Sequence, residues 1–443
     1  MLWVSAQART APDLLHERDN PMISDKKQTP LYGWHAKHGA NLVEFGDYLM
    51  PVWYSSAKDE HMAVVSRAGL FDTSHMAVVR VYGSGSFDLL QWCFTRNLHS
   101  CVGKDNAPIT PGKCVYGAFL DEHGDAIDDS IVYKVADDEY VVVVNAGMGG
   151  VIAAHLQANR KGLDVRCVDM TDKLGKIDIQ GPAAIKIMQK VLKAPDATFD
   201  NLTYFSFKGH FDPASTFAAD AQFLDGTPML LSRSGYTGEV GFEIFVAREH
   251  NVRIWELLME AGKELGLIAC GLAARDSLRT GAVLPLSHQD IGHWTYIHHP
   301  WPFALPFDAT GAHFTKTFLG SAAIEAATGA PYTLTFVGYD LRKIETHGAV
   351  VRDLQGREIG TVLTCATDMA IGRHNGRIYS VATPDKPADV AIKGLSCGFI
   401  KVSANLAPGT VVELKDTRRA IQVVIETDVR PDRTARKALK NFI

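Results

Sequence analysis

The pattern of apolar and polar positions divides the chain into two kinds of stretch. From about residue 30 to 330, runs with the two-residue period of strands alternate with runs of helical period. "SSAKDEHMAVVSRAG" (55–69) predicts a helix: Ser56 and Asp59 have capping-box spacing, acids fill the first turn, and Gly69 closes it. "VVRVYG" (78–83) predicts a strand, after which Ser84 or Ser86 caps a helix over "FDLLQWCF". "KCVYGAFLD" and "IDDSIVYKV" predict paired strands around the turn "EHGD", and the continuously apolar "EYVVVVNA" (139–146) a buried strand. A second cycle follows. "GKIDIQG" is a strand, with Pro182 at the first position of a helix over "AAIKIMQKVL". "PMLLSRS" and "GFEIFVA" are strands joined by "GYTGEV". "HNVRIWELLMEAGKELG" (250–266) is an amphipathic helix with Val252, Trp255, Leu258 and Leu265 on its apolar face, and "LAARDSLRTGAV" begins another. From about 335 onward the chain changes to short strands punctuated by Gly, Pro and Asp, which predicts a small antiparallel barrel or sandwich. No repeat of fixed period is present.

Length and charge narrow the possibilities. A chain of 443 residues with 46% apolar positions accommodates two or three domains. A formal net charge of −5, with Lys and Arg scattered, provides no basic field for nucleic acid or an anionic membrane. No apolar run reaches the ~18 residues of a membrane span. The seven cysteines are dispersed, odd in number and without a C-x-x-C pair, which points to reduced thiols and a cytoplasmic location. Residues 1–21 lack the apolar middle of a secretory signal, so residues 1–28 are expected to be a disordered or non-native tail.

Four stretches carry candidate chemistry. Asp128 and Asp129 sit side by side in an apolar strand, where alternation turns them to opposite faces; both are equally readable as surface acids beside the turn. In "SRSGYTGEVGFEI" (232–244), Gly235, Gly238 and Gly241 allow close backbone approach to a ligand, but the spacing is neither a dinucleotide fingerprint nor a phosphate loop. Glu243 follows between Phe242 and Ile244, an acid that needs hydrogen-bond donors if buried and none if its strand is an edge. Arg275 and Arg279 share a helix face with Asp276 between them, which suits a bound carboxylate or polar heterocycle and equally a surface ion pair. His288, His293 and His298 are five residues apart, a spacing that points to an entrance loop rather than a metal site. Ser74 and His75, adjacent in "SHM", do not form a nucleophile pair, and no G-x-S-x-G elbow exists.

Taken together, "TPLYGWHAKHGANLVEFGDYLMPVWYSS" (29–56), "AGLFDTSHM" (68–76), "PGKCVY" (111–116), "DAIDDSIVYKV" (125–135), "VVNA" (143–146), "IQGPAA" (179–184), "SGYTGEVGFEI" (234–244) and "GLAARDSLR" (271–279) occur in an order that resembles the glycine cleavage T-protein family, the folate-dependent aminomethyltransferases and their demethylase relatives. The resemblance implies an α+β fold: a three-domain cloverleaf around a central tetrahydrofolate channel. Residues 29–330 would form two interleaved α+β domains and residues 331–443 a C-terminal β-barrel. It implies Asp129 as the pivotal acid, with Asp128 its outward or structural neighbour. Tyr116, Tyr236, Glu243, Arg275, Met76 and Asn145 would border the folate, with no metal. A reduced pterin presents an N–H-rich edge to which a carboxylate such as Glu243 can bind through two hydrogen bonds. The implied activity is aminomethyl transfer from a lipoylated carrier protein to tetrahydrofolate. The alternatives are demethylation of a small O-, N- or S-methyl substrate, and a folate-sensing or iron–sulfur-assembly protein on the same scaffold without turnover, against which retention of Asp129 argues. The sequence departs from the family in three places. "LRTGAV" replaces the usual "LRLEAG", the aromatic segment over 288–308 is longer, and the C-terminus lacks the family's tyrosine.

Overall fold

A computed structural model of the chain describes residues 26–443, so most of the expected N-terminal tail lies outside the described residues. Lys27–Gln28 is not tail: it pairs in parallel with Tyr48–Leu49 at the edge of a three-stranded sheet completed by Asn41–Phe45.

Two larger sheets share residues 68 to 270. The six-stranded sheet runs in the order Phe207–Lys208, Leu230–Ser232, Gly241–Ala247, Leu174–Gln180, Ala68–Asp72, Leu267–Cys270. The five-stranded sheet runs Lys113–Leu120, Ala126–Ala136, Glu139–Val144, Ala77–Tyr82, Arg166–Asp169. Successive strands Ala68–Asp72 and Ala77–Tyr82 belong to different sheets, so the chain crosses between them within the turn at 73–76. Ser74 and His75 lie in that turn, both buried. The third unit is a closed antiparallel barrel of six strands, all within Tyr332–Gly338 to Ala420–Ile425. The fold is therefore α+β with a C-terminal barrel, and each unit has an apolar cluster of its own.

Local chemistry explains most element ends. The helix Ala57–Ser66 starts where Ser56 Oγ accepts the Asp59 amide, as the capping spacing predicts. It stops at Ser66 rather than Gly69, because Ala68–Asp72 is taken into the six-stranded sheet, between Leu174–Gln180 and Leu267–Cys270. Ser86–Cys93 follows Gly85 without a side-chain cap, and the Ser86 hydroxyl instead donates to the Gly83 carbonyl. The helix Asn251–Gly262 buries Ile254, Trp255 and Leu258, while Val252 faces outward at 36% exposure. The expected apolar face is thus rotated, because the tertiary neighbours of Trp255, not the full set of apolar positions, set which side packs.

Candidate functional site

The paired acids come first, because their strand is the second of five. Along Ala126–Ala136 burial alternates: Asp128, Ser130 and Val132 are buried, and Asp129 and Ile131 partly accessible. The pairing of Ile131 with Val143, extended by two residues, sets Asn145 opposite Asp129 at the point where regular pairing ends. Free of the ladder, the Asn145 amide reaches both faces. Its Nδ2 donates to Asp128 Oδ1 and to Asp129 Oδ1, each at 2.7 Å, and its backbone N–H donates to Asp128 Oδ2 at 2.8 Å. Tyr116, on the adjacent strand, donates its hydroxyl to Asp129 Oδ2 at 2.8 Å. Ser287 Oγ donates to Asp128 Oδ1 at 2.9 Å.

Neither acid is a surface residue, and Asp128 is not outward: it is fully buried, held by three donors. Burial, reinforced by the Asp129 charge, pushes the Asp128 carboxyl up to about 7 against the opposing hydrogen bonds of Asn145 and Ser287. Burial also raises Asp129, which Tyr116 and Asn145 counter. Tyr116 is driven up by burial and by the neighbouring Asp129.

The glycine turn delivers the opposite wall. Gly238 has a φ of +78°, and a Cβ there would strike Ala282 and the side chains of Arg430 and Arg433. Tyr236, on this turn, donates to the Pro285 carbonyl, and the Arg275 guanidinium lies 4.6 Å above its ring. Glu243 is on Gly241–Ala247, flanked on both sides by Leu230–Ser232 and Leu174–Gln180, so it is not on an edge. It is buried, yet it is bound by Lys176 and by the Ser234 hydroxyl. Lys176 also reaches Asp178 Oδ1 at 2.6 Å, and Asp178 Oδ2 meets Arg275 at 3.2 Å. Arg279 is no surface ion pair either. It is 1% exposed, bound to Asp276 and to the buried Asp290.

A cavity of about 3410 Å³ lies between these walls and the barrel. Met76, Tyr116, Asp129, Asn145, Tyr236, Glu243 and Arg275 all line it, so residues scattered over 200 positions of sequence converge on one space. His288 and His293 also line it, and Phe303 stands over Tyr116 with ring centroids 6.0 Å apart. Burial lowers the His288 imidazole, opposed by Asp129. No cluster suited to a metal ion occurs among the described residues.

The GCVT N-terminal domain family matches residues 31–297. The chain belongs to this family. It is 35% identical to the aminomethyltransferase of Geobacillus thermodenitrificans, over 83% of this chain and 94% of that protein. It is 36% identical to the aminomethyltransferase of Anoxybacillus flavithermus, over 83% and 95%. The crystal structure of the glycine cleavage system aminomethyltransferase T from Bartonella henselae superposes with a TM-score of 0.71 at 24% identity, covering 93% of this chain and 99% of that one, a likeness of fold.

Two of the positions at which the sequence departs from the expected "LRLEAG" have distinctive surroundings. Gly281 stands where a side chain would run into Asp368 Oδ2, the carboxylate that binds Arg430 Nη1 at 2.6 Å. Val283 replaces the motif's final glycine yet keeps a φ of +59°, costly for a β-branched residue; its carbonyl accepts Trp301 Nε1 at 2.7 Å from the long aromatic segment.

Sequence reasoning missed Lys176, Asp178, Ser287 and Asp290. Lys176 and Asp178 had a signal: two charges two residues apart in "GKIDIQG" share one face of a buried strand. Ser287 had none, because its role depends on where the 284–291 segment docks.

Proposed function

We propose that this chain is a tetrahydrofolate-dependent aminomethyltransferase, taking an aminomethyl group from a lipoylated carrier protein to give methylene-tetrahydrofolate and ammonia in the cytoplasm. The observation that carries the reading is Asp129, set in the cavity wall and held at both oxygens by Tyr116 and Asn145, in a chain whose relatives over most of its length are aminomethyltransferases.

The residues fit a reduced folate. Glu243 offers acceptor oxygens to an N–H-rich edge, Tyr236 and Arg275 a flat polar face, and Met76 an apolar wall. When bound, the folate supplies the nitrogens that take up the one-carbon unit. Asp129 acts beside them: fixed in advance by its two donors, it stabilises positive charge without reorganising during the reaction. Asp128, whose carboxyl titrates near neutrality, touches the same Asn145 amide and tunes how readily Asp129 ionises. No helix among the described residues is long and apolar enough to cross a membrane.

A second reading, demethylation of a small methyl donor, is supported by the aromatic segment that brings Phe303 over Tyr116 in the cavity wall. The test is to incubate the protein and tetrahydrofolate with an aminomethyl-lipoylated carrier or with small methyl donors, and to identify the folate product. Methylene-tetrahydrofolate with release of ammonia is the expected result. Methyl-tetrahydrofolate would establish the second reading, and no folate product from any donor would refute both.

A further inference from the structure

We propose that Lys176 is a positioning residue that holds Glu243 as an ionised acceptor in the cavity and, through Asp178, ties it to Arg275 so that the two groups act as one unit. The inference rests on the folate reading of the cavity.

The four side chains form an alternating series: Glu243, Lys176, Asp178, Arg275. Its two ends line the cavity, and the two middle members lie behind the wall. Lys176 is 3% exposed, and its ammonium has three hydrogens, all with partners: Glu243 Oε1, Asp178 Oδ1 at 2.6 Å and Thr73 Oγ1 at 3.2 Å. Asp178 accepts Thr73 Oγ1 at 2.8 Å and Arg275 Nη1 at 3.2 Å, and is held below the usual carboxylate range because Lys176 and Arg275 outweigh its burial.

The other groups facing Glu243 carry no positive charge. Ser234 Oγ donates to Oε2, and the Tyr133 hydroxyl stands 3.5 Å away on the neighbouring sheet. The Cys114 thiol and the Tyr204 phenol are both raised, chiefly by burial and in part by Glu243 itself. Lys176 is therefore the sole cation within ion-pair distance of Glu243 among the described residues. A buried carboxylate deprived of its cation takes up a proton readily, and a protonated carboxyl presents a donor where the ligand needs an acceptor. Arg275 is bound into the same series, so a ligand edge that draws on Glu243 also acts on the group stacked over Tyr236.

The test is calorimetric binding of tetrahydrofolate, kept reduced, to wild type, K176M, K176R and K176M/E243Q from pH 6 to 9. The quantity read is the ratio of each variant's Kd to that of wild type, which cancels any titration common to all four proteins, that of the Asp128–Asp129 pair included. For K176M this ratio should grow about tenfold per pH unit as pH falls below the carboxyl's pKa. For K176R it should stay near one, and for the double variant it should be raised but independent of pH. A K176M ratio that does not change with pH overturns the proposal. Absence of folate binding by wild type would instead remove the folate reading, and the inference with it. If K176M does not fold, urea unfolding of the double variant decides. Foldable K176M/E243Q supports the role of the pair, because both buried charges are gone together; a double variant that also fails to fold overturns it.

Discussion

Asn145 determines how two neighbouring carboxylates are shared. One amide nitrogen has two hydrogens, and here each goes to a different aspartate. Asp129→Asn removes the preorganised charge while keeping size, and its NH₂ can donate to the Tyr116 hydroxyl, which turns to accept, so turnover should fall by ~10²–10³ with little change in melting temperature. From sequence alone Asp128→Asn would be mild, since alternation turns Asp128 away from the cavity; the structure changes that expectation. Asp128 accepts from two Asn145 groups and from Ser287, and an asparagine there must point its NH₂ at one of those donors. The expected cost is on the order of 1–3 kcal/mol in urea unfolding, with reduced turnover because Asn145 shifts. The pH dependence has a definite sign. The folded chain retains a proton on Asp128 up to about 7, whereas an ordinary carboxyl releases it near 3.8. This contribution to stability is full below that lower value and is lost as pH rises through about 7. Unfolding free energies measured at pH 5 and 8 should fall more steeply in wild type than in Asp128→Asn; parallel slopes would mean the titrating group lies elsewhere.

Among the elements, the segment 284–291 links the helix Leu272–Gly281 to the acid pair. Asp290 accepts from Arg279, from the Leu286 amide at 2.9 Å and from Thr364 Oγ1 at 2.6 Å, joining helix, segment and barrel strand. Burial raises the Asp290 carboxyl, and Arg279 and Thr364 oppose this. Asp290→Asn leaves Arg279 buried with Asp276 as its remaining ion-pair partner, so the loss should lie toward the lower end of the ~3–5 kcal/mol typical of a broken buried pair. Turnover should fall as well, since Ser287 on the same segment would no longer be held against Asp128. Chemical denaturation and steady-state rates measured together would check this, and loss of stability with full turnover would contradict the linkage. Capping chemistry made the start of Ala57–Ser66 legible in the sequence, because the Ser56 cap is a contact over three residues. The exposed position of Val252 was not legible, because it depends on neighbours far along the chain.

At the scale of the molecule, the cavity is lined by residues of the six-stranded sheet, the antiparallel five-stranded sheet and the barrel, so a ligand within it contacts all three. Tetrahydrofolate, binding the native state alone, should raise the melting temperature, adding about 2.7 kcal/mol at a hundredfold excess over its Kd. Scanning calorimetry with and without the folate reads this directly, and an unchanged transition would remove the folate reading. The sequence by itself determined the local content: the strand pair around 121–125, the cap at Ser56, the change to short strands after about 335, and, through motif order, the family and seven of the residues that line the cavity. Those signals are carried by contacts between near neighbours or by side chains whose identity is itself the motif. The tertiary structure alone decided that successive strands 68–72 and 77–82 enter different sheets, that Asp128 is buried and bound to the same amide as Asp129, and that Lys176 neutralises Glu243. Each of these depends on register and on partners tens to hundreds of residues away, where burial and charge pairing, rather than periodicity, select the arrangement.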